Sequence, residues 1–185
     1  MRAAADPVPP AGLDPPEEVV AAAVRHQLEL AGRVEVPAER VPEPATVTGV
    51  DVSYETGSSR LVAAAVTTVL ATGEVVDEAV VGGTAAFQYR PGLLAFREVP
   101  ALAEAIGRLR RAPELVLCDG QGLAHPRRCG LACHLGVELG LAAVGCAKSP
   151  YVGAGAVGPG AGAAAALGPR RGDRAPLRDG PDLVG

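Results

Sequence analysis

Val47-Thr48-Gly49-Val50-Asp51-Val52-Ser53-Tyr54 is the stretch whose reading decides the fold. β-Branched residues dominate it, so it reads as a strand over about 46–54, and Asp51 in its middle is costly unless paired or bound to a cation. Toward the C-terminus, two further apolar runs follow at about 61–70 and about 74–82. Gly57-Ser58-Ser59 and Thr72-Gly73 mark the turns between the three. Connections this short join antiparallel neighbours, so the three strands form a meander.

Beyond the meander the apolar period changes. Residues 93–111 read as a helix with Leu94, Leu102, Ile106 and Leu109 on one stripe, and Pro100 requires a kink or a fresh start inside it. A buried strand at about 114–119, a helix at about 130–139 and a strand at about 142–146 follow. The order βββαβαβ predicts an α/β mixed sheet flanked by helices. A helical crossover would lay the 114–119 strand parallel beside the 46–54 strand. Asp51 and Asp119 would then stand on neighbouring strands, with Glu98 of the crossover helix in reach.

Upstream, Pro16-Glu17-Glu18 opens another helix, with Asp14 as its expected cap and Val20, Val24, Leu28 and Ala31 as its apolar stripe. Residues 1–15 are expected to be a disordered tail and residues 37–44 a linker. The expected organisation is that tail, one folded domain at 16–150, and a Gly/Ala-rich, incomplete segment at 151–185. Of the 17 residues from 153 to 169, 13 are Gly or Ala, which leaves little side chain to bury. The last residues, 168–185, show turn residues without a completed strand.

Composition bounds the function classes. A chain of 185 residues with 48% apolar and 21% charged side chains suits one soluble domain. No run is long and apolar enough for a membrane span, and the N-terminus lacks a signal-peptide core, so a cytoplasmic monomer is expected. Cys118, Cys129, Cys133 and Cys146 read as reduced core thiols. A zinc site from His125, Cys129 and Cys133 is disfavoured because Pro126 breaks the helical register. The net charge is −4, yet residues 84–150 carry 8 basic and 5 acidic side chains, a local positive surface that can track phosphates. Lys148 is the single lysine beside sixteen arginines, a compact point charge where a guanidinium fork would not fit.

Four motifs carry a resemblance. They are Gly49-Val50-Asp51-Val52-Ser53, Tyr89-Arg90-Pro91-Gly92-Leu93-Leu94-Ala95-Phe96-Arg97-Glu98, Asp119-Gly120-Gln121-Gly122-Leu123-Ala124-His125-Pro126-Arg127-Arg128 and Val144-Gly145-Cys146-Ala147-Lys148-Ser149. Together they resemble the endonuclease V (deoxyinosine 3′ endonuclease) family of DNA repair over roughly residues 16–150. The resemblance implies an RNase H-like fold, dependence on Mg²⁺ (or Mn²⁺), and nicking of the second phosphodiester bond 3′ of deoxyinosine in DNA. It implies Asp51, Glu98 and Asp119 as metal ligands, with His125 and Lys148 beside the scissile phosphate. Tyr89 and Pro91 fall in a strand-separating wedge, written here Gln88-Tyr89-Arg90-Pro91 rather than Pro-Tyr-Ile-Pro. Leu94, Gly120, Gly122 and Gly130 resemble the wall of a pocket for the extruded base.

The chemistry is consistent with these residue types. Three carboxylates suit a hard cation that keeps several waters, and metal-assisted hydrolysis is how an anionic phosphodiester is opened. Residues 168–185 resemble only a turn before a further strand, helix and Pro-Glu-Pro-Thr-Arg segment of that family. Two other functions therefore stand beside cleavage. One is an inosine-DNA-binding module that does not cut, and the other an RNase H-like nuclease for RNA or branched DNA.

Overall fold

The computed structural model describes residues 15–37, 42–85, 87–152 and 170–185. The expected tail (but for its last residue), the Asp14 cap and the Gly/Ala-rich stretch lie outside these residues.

Three strands come first after helix α1 (Glu17–Ala31): β1 (Thr46–Tyr54), β2 (Arg60–Val69) and β3 (Val75–Thr84). They form the expected antiparallel meander, with Thr46 opposite Val69 and Ala65 opposite Ala79. Helix α2 (Leu94–Gly107) crosses over to β4 (Val116–Cys118), and α3 (Leu131–Leu139) to β5 (Ala143–Gly145). The sheet order is β3-β2-β1-β4-β5, with β4 parallel to both β1 and β5. This is the anticipated mixed sheet, a three-strand antiparallel meander extended by parallel strands.

One sheet face is apolar and covered. Val50, Leu61, Ala63, Ala65, Val116 and Cys118 pack against Val99, Leu102 and Ala105 of α2 and Leu131 and Leu135 of α3. On alternate positions Val62, Val80, Leu117 and Val144 remain exposed, as pleating requires. Helix α2 runs on through Pro100, which is exposed, and ends at Gly107 rather than near 111; Leu109 still packs against the core from beyond the helix end.

Two further differences matter for the site. In α1 the buried residues are Ala23, Gln27 and Leu30, whereas Leu28 of the expected stripe is 52% exposed. A polar side chain takes the central inward position because its amide has partners there. At the C-terminal end, a small hairpin of β6 (Arg178–Asp179) and β7 (Asp182–Leu183) replaces the expected strandless turn. It is anchored from outside by Arg128, whose Nη2 lies 2.8 Å from Asp179 Oδ2 and 3.0 Å from Asp182 Oδ2.

Candidate functional site

Parallel pairing of β1 and β4 sets the geometry of the acids. Val50 pairs with Cys118 at the end of the ladder, so Asp51 and Asp119 occupy the next position on adjacent chains. Val50 and Cys118 point into the core, and both aspartates are exposed. Glu98 arrives from α2 and is buried, 8% exposed.

Each carboxylate leans on a partner of its own. Lys148 Nζ donates to Asp119 Oδ2 at 2.6 Å, the Val52 amide to Asp51 Oδ1 at 2.9 Å, and the Tyr54 hydroxyl to Glu98 Oε1 at 2.8 Å. The Arg97 guanidinium lies 4.4 Å from the Tyr54 ring centroid and steadies that phenol. Burial pushes the Glu98 carboxyl above its ordinary 4.5 against the pull of the Tyr54 hydrogen bond, and the negative charges of Asp51 and Asp119 push it the same way. Lys148 is raised chiefly by its bond to Asp119, with a smaller contribution from Asp51. The three acids and the ammonium thus sense one another.

Among the described residues, the set of His, Cys, Asp or Glu donor atoms lying within 4.8 Å of one another is His26, His134 and Glu138, not the three acids. An oxygen-only donor set whose members repel one another fits a hard divalent cation, whose charge would reverse the repulsion.

A cavity of about 440 Å³ opens beside Asp119 and Lys148, within the size range of small-ligand sites. Its wall includes Pro91, Leu94, Gly120 and Gly130, with Tyr89 at its rim, 60% exposed. Close packing forces the glycines. A Cβ on Gly130 would collide with the Gln121 carbonyl, and one on Gly145 would come within 2.5 Å of the Gly120 carbonyl. Gly122, expected in the wall, is not part of it; its carbonyl instead accepts the Gly130 amide at 2.9 Å.

A buried clamp shapes the opposite wall. The Gly92 carbonyl accepts from Arg127 Nη2 at 2.8 Å and from Gln27 Nε2 and His125 Nε2, each at 3.1 Å. Gly92 has φ +80, which a side chain would strain. Gln27 Nε2 also reaches the Cys129 carbonyl at 2.6 Å, and its Oε1 accepts Arg127 Nε at 2.5 Å. The His125 tautomer follows, because Nδ1 accepts the Arg127 amide at 3.2 Å and Nε2 must therefore carry the proton. Burial, with the Arg127 charge adding to it, pushes His125 from 6.5 down to about 4. The ring lines the cavity as a neutral group with both nitrogens engaged.

The structure therefore gathers Asp51, Glu98, Asp119 and Lys148 into one electrostatic group. It places Tyr89, Pro91, Leu94, Gly120, Gly130 and His125 around the adjoining cavity and leaves Gly122 behind it. Sequence reasoning passed over Gln27, Tyr54 and Arg127. The signal available for Gln27 was a polar residue at helical spacing between Ala23 and Leu30.

A family model described as Endonuclease V matches residues 28–185. The Endonuclease V of Streptomyces avermitilis is 47% identical over 178 residues, which cover 95% of this chain and 72% of that protein. For the Nocardia farcinica Endonuclease V the identity is 44%, over 86% of this chain and 66% of the relative. This chain thus spans about two thirds of the length of these relatives. The crystal structure of the Streptomyces avermitilis protein superimposes with a TM-score of 0.75 at 44% identity, over 94% of this chain and 72% of that one. A Ciona intestinalis Endonuclease V, in complex with a 23mer DNA containing an inosine followed by a ribo-adenosine, gives 0.67 at 28% identity, over 73% and 59%.

Proposed function

Because this chain belongs to the Endonuclease V family, we propose that it is a metal-dependent endonuclease acting on DNA that contains deoxyinosine. The observation that carries this reading is that Asp119 and Lys148 belong both to the acid group and to the cavity wall. A base lodged in the cavity is thereby held beside the charges that would act on its phosphodiester chain. The Ciona intestinalis complex supports the choice of inosine-bearing DNA.

In this proposal Asp51, Glu98 and Asp119 hold Mg²⁺, with Mn²⁺ as a substitute. When bound, the ion supplies an activated water and stabilises the leaving oxygen. Lys148 exchanges its bond to Asp119 for the anionic phosphate and offsets the charge that builds there. Tyr89 stacks where the extruded base has left the duplex, a contact worth about 1–3 kcal/mol. Gly120 and Gly130 let the backbone approach that base, Leu94 and Pro91 supply apolar wall, and neutral His125 keeps the wall rigid through Gly92. The expected product is a nick at the second phosphodiester bond 3′ of deoxyinosine, the position the family resemblance implies.

The test is a nicking assay on an inosine-bearing duplex with Mg²⁺, run beside undamaged duplex, RNA and a four-way junction. Metal-dependent product from the inosine duplex alone is expected. Inosine-selective binding without product would make the chain a lesion-binding module, and preferential cutting of RNA or junctions would make it another kind of nuclease.

A further inference from the structure

We propose that His26, His134 and Glu138 form a transition-metal site of the Zn²⁺ type that clips α1 to α3, independently of the nuclease reading. His134 and Glu138 are four residues apart in α3 and so share a face, and His26 meets them from α1. His26 Nε2 lies 3.2 Å from Glu138 Oε1, and His134 Nε2 lies 3.3 Å from the same oxygen. In a tetrahedral zinc site with ligand bonds of about 2.0–2.1 Å, neighbouring donor atoms stand roughly 3.3 Å apart. Two of the three donor separations already match the edges of such a polyhedron, and all three donor atoms lie within 4.8 Å of one another. Two imidazoles and one carboxylate suit Zn²⁺ and its neighbours rather than Mg²⁺, which prefers oxygen.

The surroundings support a site that an ion can enter. His134 is a buried anchor at 3% exposure, while the side chains of His26 and Glu138 are 46% and 36% exposed. Phe96 packs at right angles to the His134 ring, centroids 4.8 Å apart, and 6.1 Å from the His26 ring, which fixes both rings. His26 Nδ1 faces Glu29 Oε2 at 3.7 Å, the kind of outer carboxylate that sets a ligating imidazole's tautomer. Among the described residues His134 Nδ1 has no hydrogen-bond partner, so the site binds more weakly than a closed structural zinc centre. In the metal-free state the same contacts are hydrogen bonds from two imidazoles to one carboxylate oxygen.

The test uses the full chain, stripped with chelator and titrated with ZnCl₂ by calorimetry in excess Mg²⁺. One equivalent of Zn²⁺ should bind and raise Tm. His26→Ala and Glu138→Gln, both at partly exposed positions and checked for folding by circular dichroism, should each weaken binding at least tenfold and remove the Tm rise. Cys133→Ser and Asp51→Asn should change neither. Co²⁺ in place of Zn²⁺ should give the visible bands of a tetrahedral site in the wild type and lose them in His26→Ala. No binding by the wild type, undiminished binding by the His26 and Glu138 variants, or loss confined to the Cys133 or Asp51 variant would overturn the assignment.

Discussion

The two walls of the cavity are built on opposite principles. On one side, around Asp51 of β1, Glu98 of α2 and Asp119 just past β4, carboxylates feel one another's charge, each restrained by a single hydrogen bond, and two of the three are exposed. Around Gly92, three donors meet one half-buried carbonyl, and Gln27 uses both ends of its amide. In the first region only Glu98 is buried and only Asp119 has a hydrogen-bonded cation beside it, so the group has acceptor oxygens to spare for a ligand of opposite sign. Full satisfaction marks the second as scaffold, since polar groups with every partner in place rigidify the backbone they hold. Perturbing the first should alter chemistry at little cost in stability, and perturbing the second the reverse.

The largest effect should come from the acid side. Asp51→Ala or Asp119→Ala should lower single-turnover nicking by at least roughly 10²–10³-fold, the range for removal of one electrostatic stabiliser, while gel-shift binding to inosine duplex persists. Both residues are exposed, so denaturant midpoints should hardly move. Undiminished nicking in either variant would break the division.

On the scaffold side, Gly130→Ala drives a methyl into the Gln121 carbonyl and should destabilise by about 3 kcal/mol, read from urea unfolding. The pH dependence of His125 has a defined sign. Its folded value of about 4 lies below the ordinary 6.5, so the unfolded chain binds the extra proton first. The stability it contributes is present above pH 6.5 and lost as pH falls toward 4, by about 3 kcal/mol at 1.36 kcal/mol per unit. His125→Gln, which keeps a donor for Gly92 but does not titrate there, should flatten this part of the stability–pH curve. A curve as steep as the wild type would show that His125 is not the buried neutral group described. Gln27→Ala leaves the Cys129 carbonyl and Arg127 Nε without their partner and should cost about 1–3 kcal/mol. It should also weaken inosine-DNA binding more than it slows cutting of bound DNA, by loosening the loop that carries Tyr89.

The same contrast explains what was legible in the chain. The meander and Asp51 could be read because strand alternation is local, and β1 runs over 46–54 as expected. Asp119 could be placed beside Asp51 because a helical crossover leaves few topologies. The clamp could not be read: Gln27 and Arg127 are joined over 100 residues of sequence, and nothing in an amphipathic pattern announces a buried amide. The reach of α2 was overread for a related reason, since Leu109 continues the apolar stripe into the core after the helix has ended at Gly107. The β6–β7 hairpin was missed because its anchor, Arg128, lies some fifty residues upstream, at a non-glycine φ of +56 that no local propensity favours. Gly122 was placed in the wall by the family resemblance alone, whereas the cavity is lined by Gly120, Gln121 and Gly130.

The central claim is that Asp51, Glu98 and Asp119 close on one divalent ion at the mouth of the cavity. It is tested most directly by a crystal structure grown with Mn²⁺ and mapped by manganese anomalous scattering. A peak bonded to oxygens of all three side chains, with Lys148 turned away from Asp119, is the predicted result. A map in which manganese binds without those carboxylates, or in which Glu98 remains on Tyr54 while the ion sits elsewhere, would contradict it.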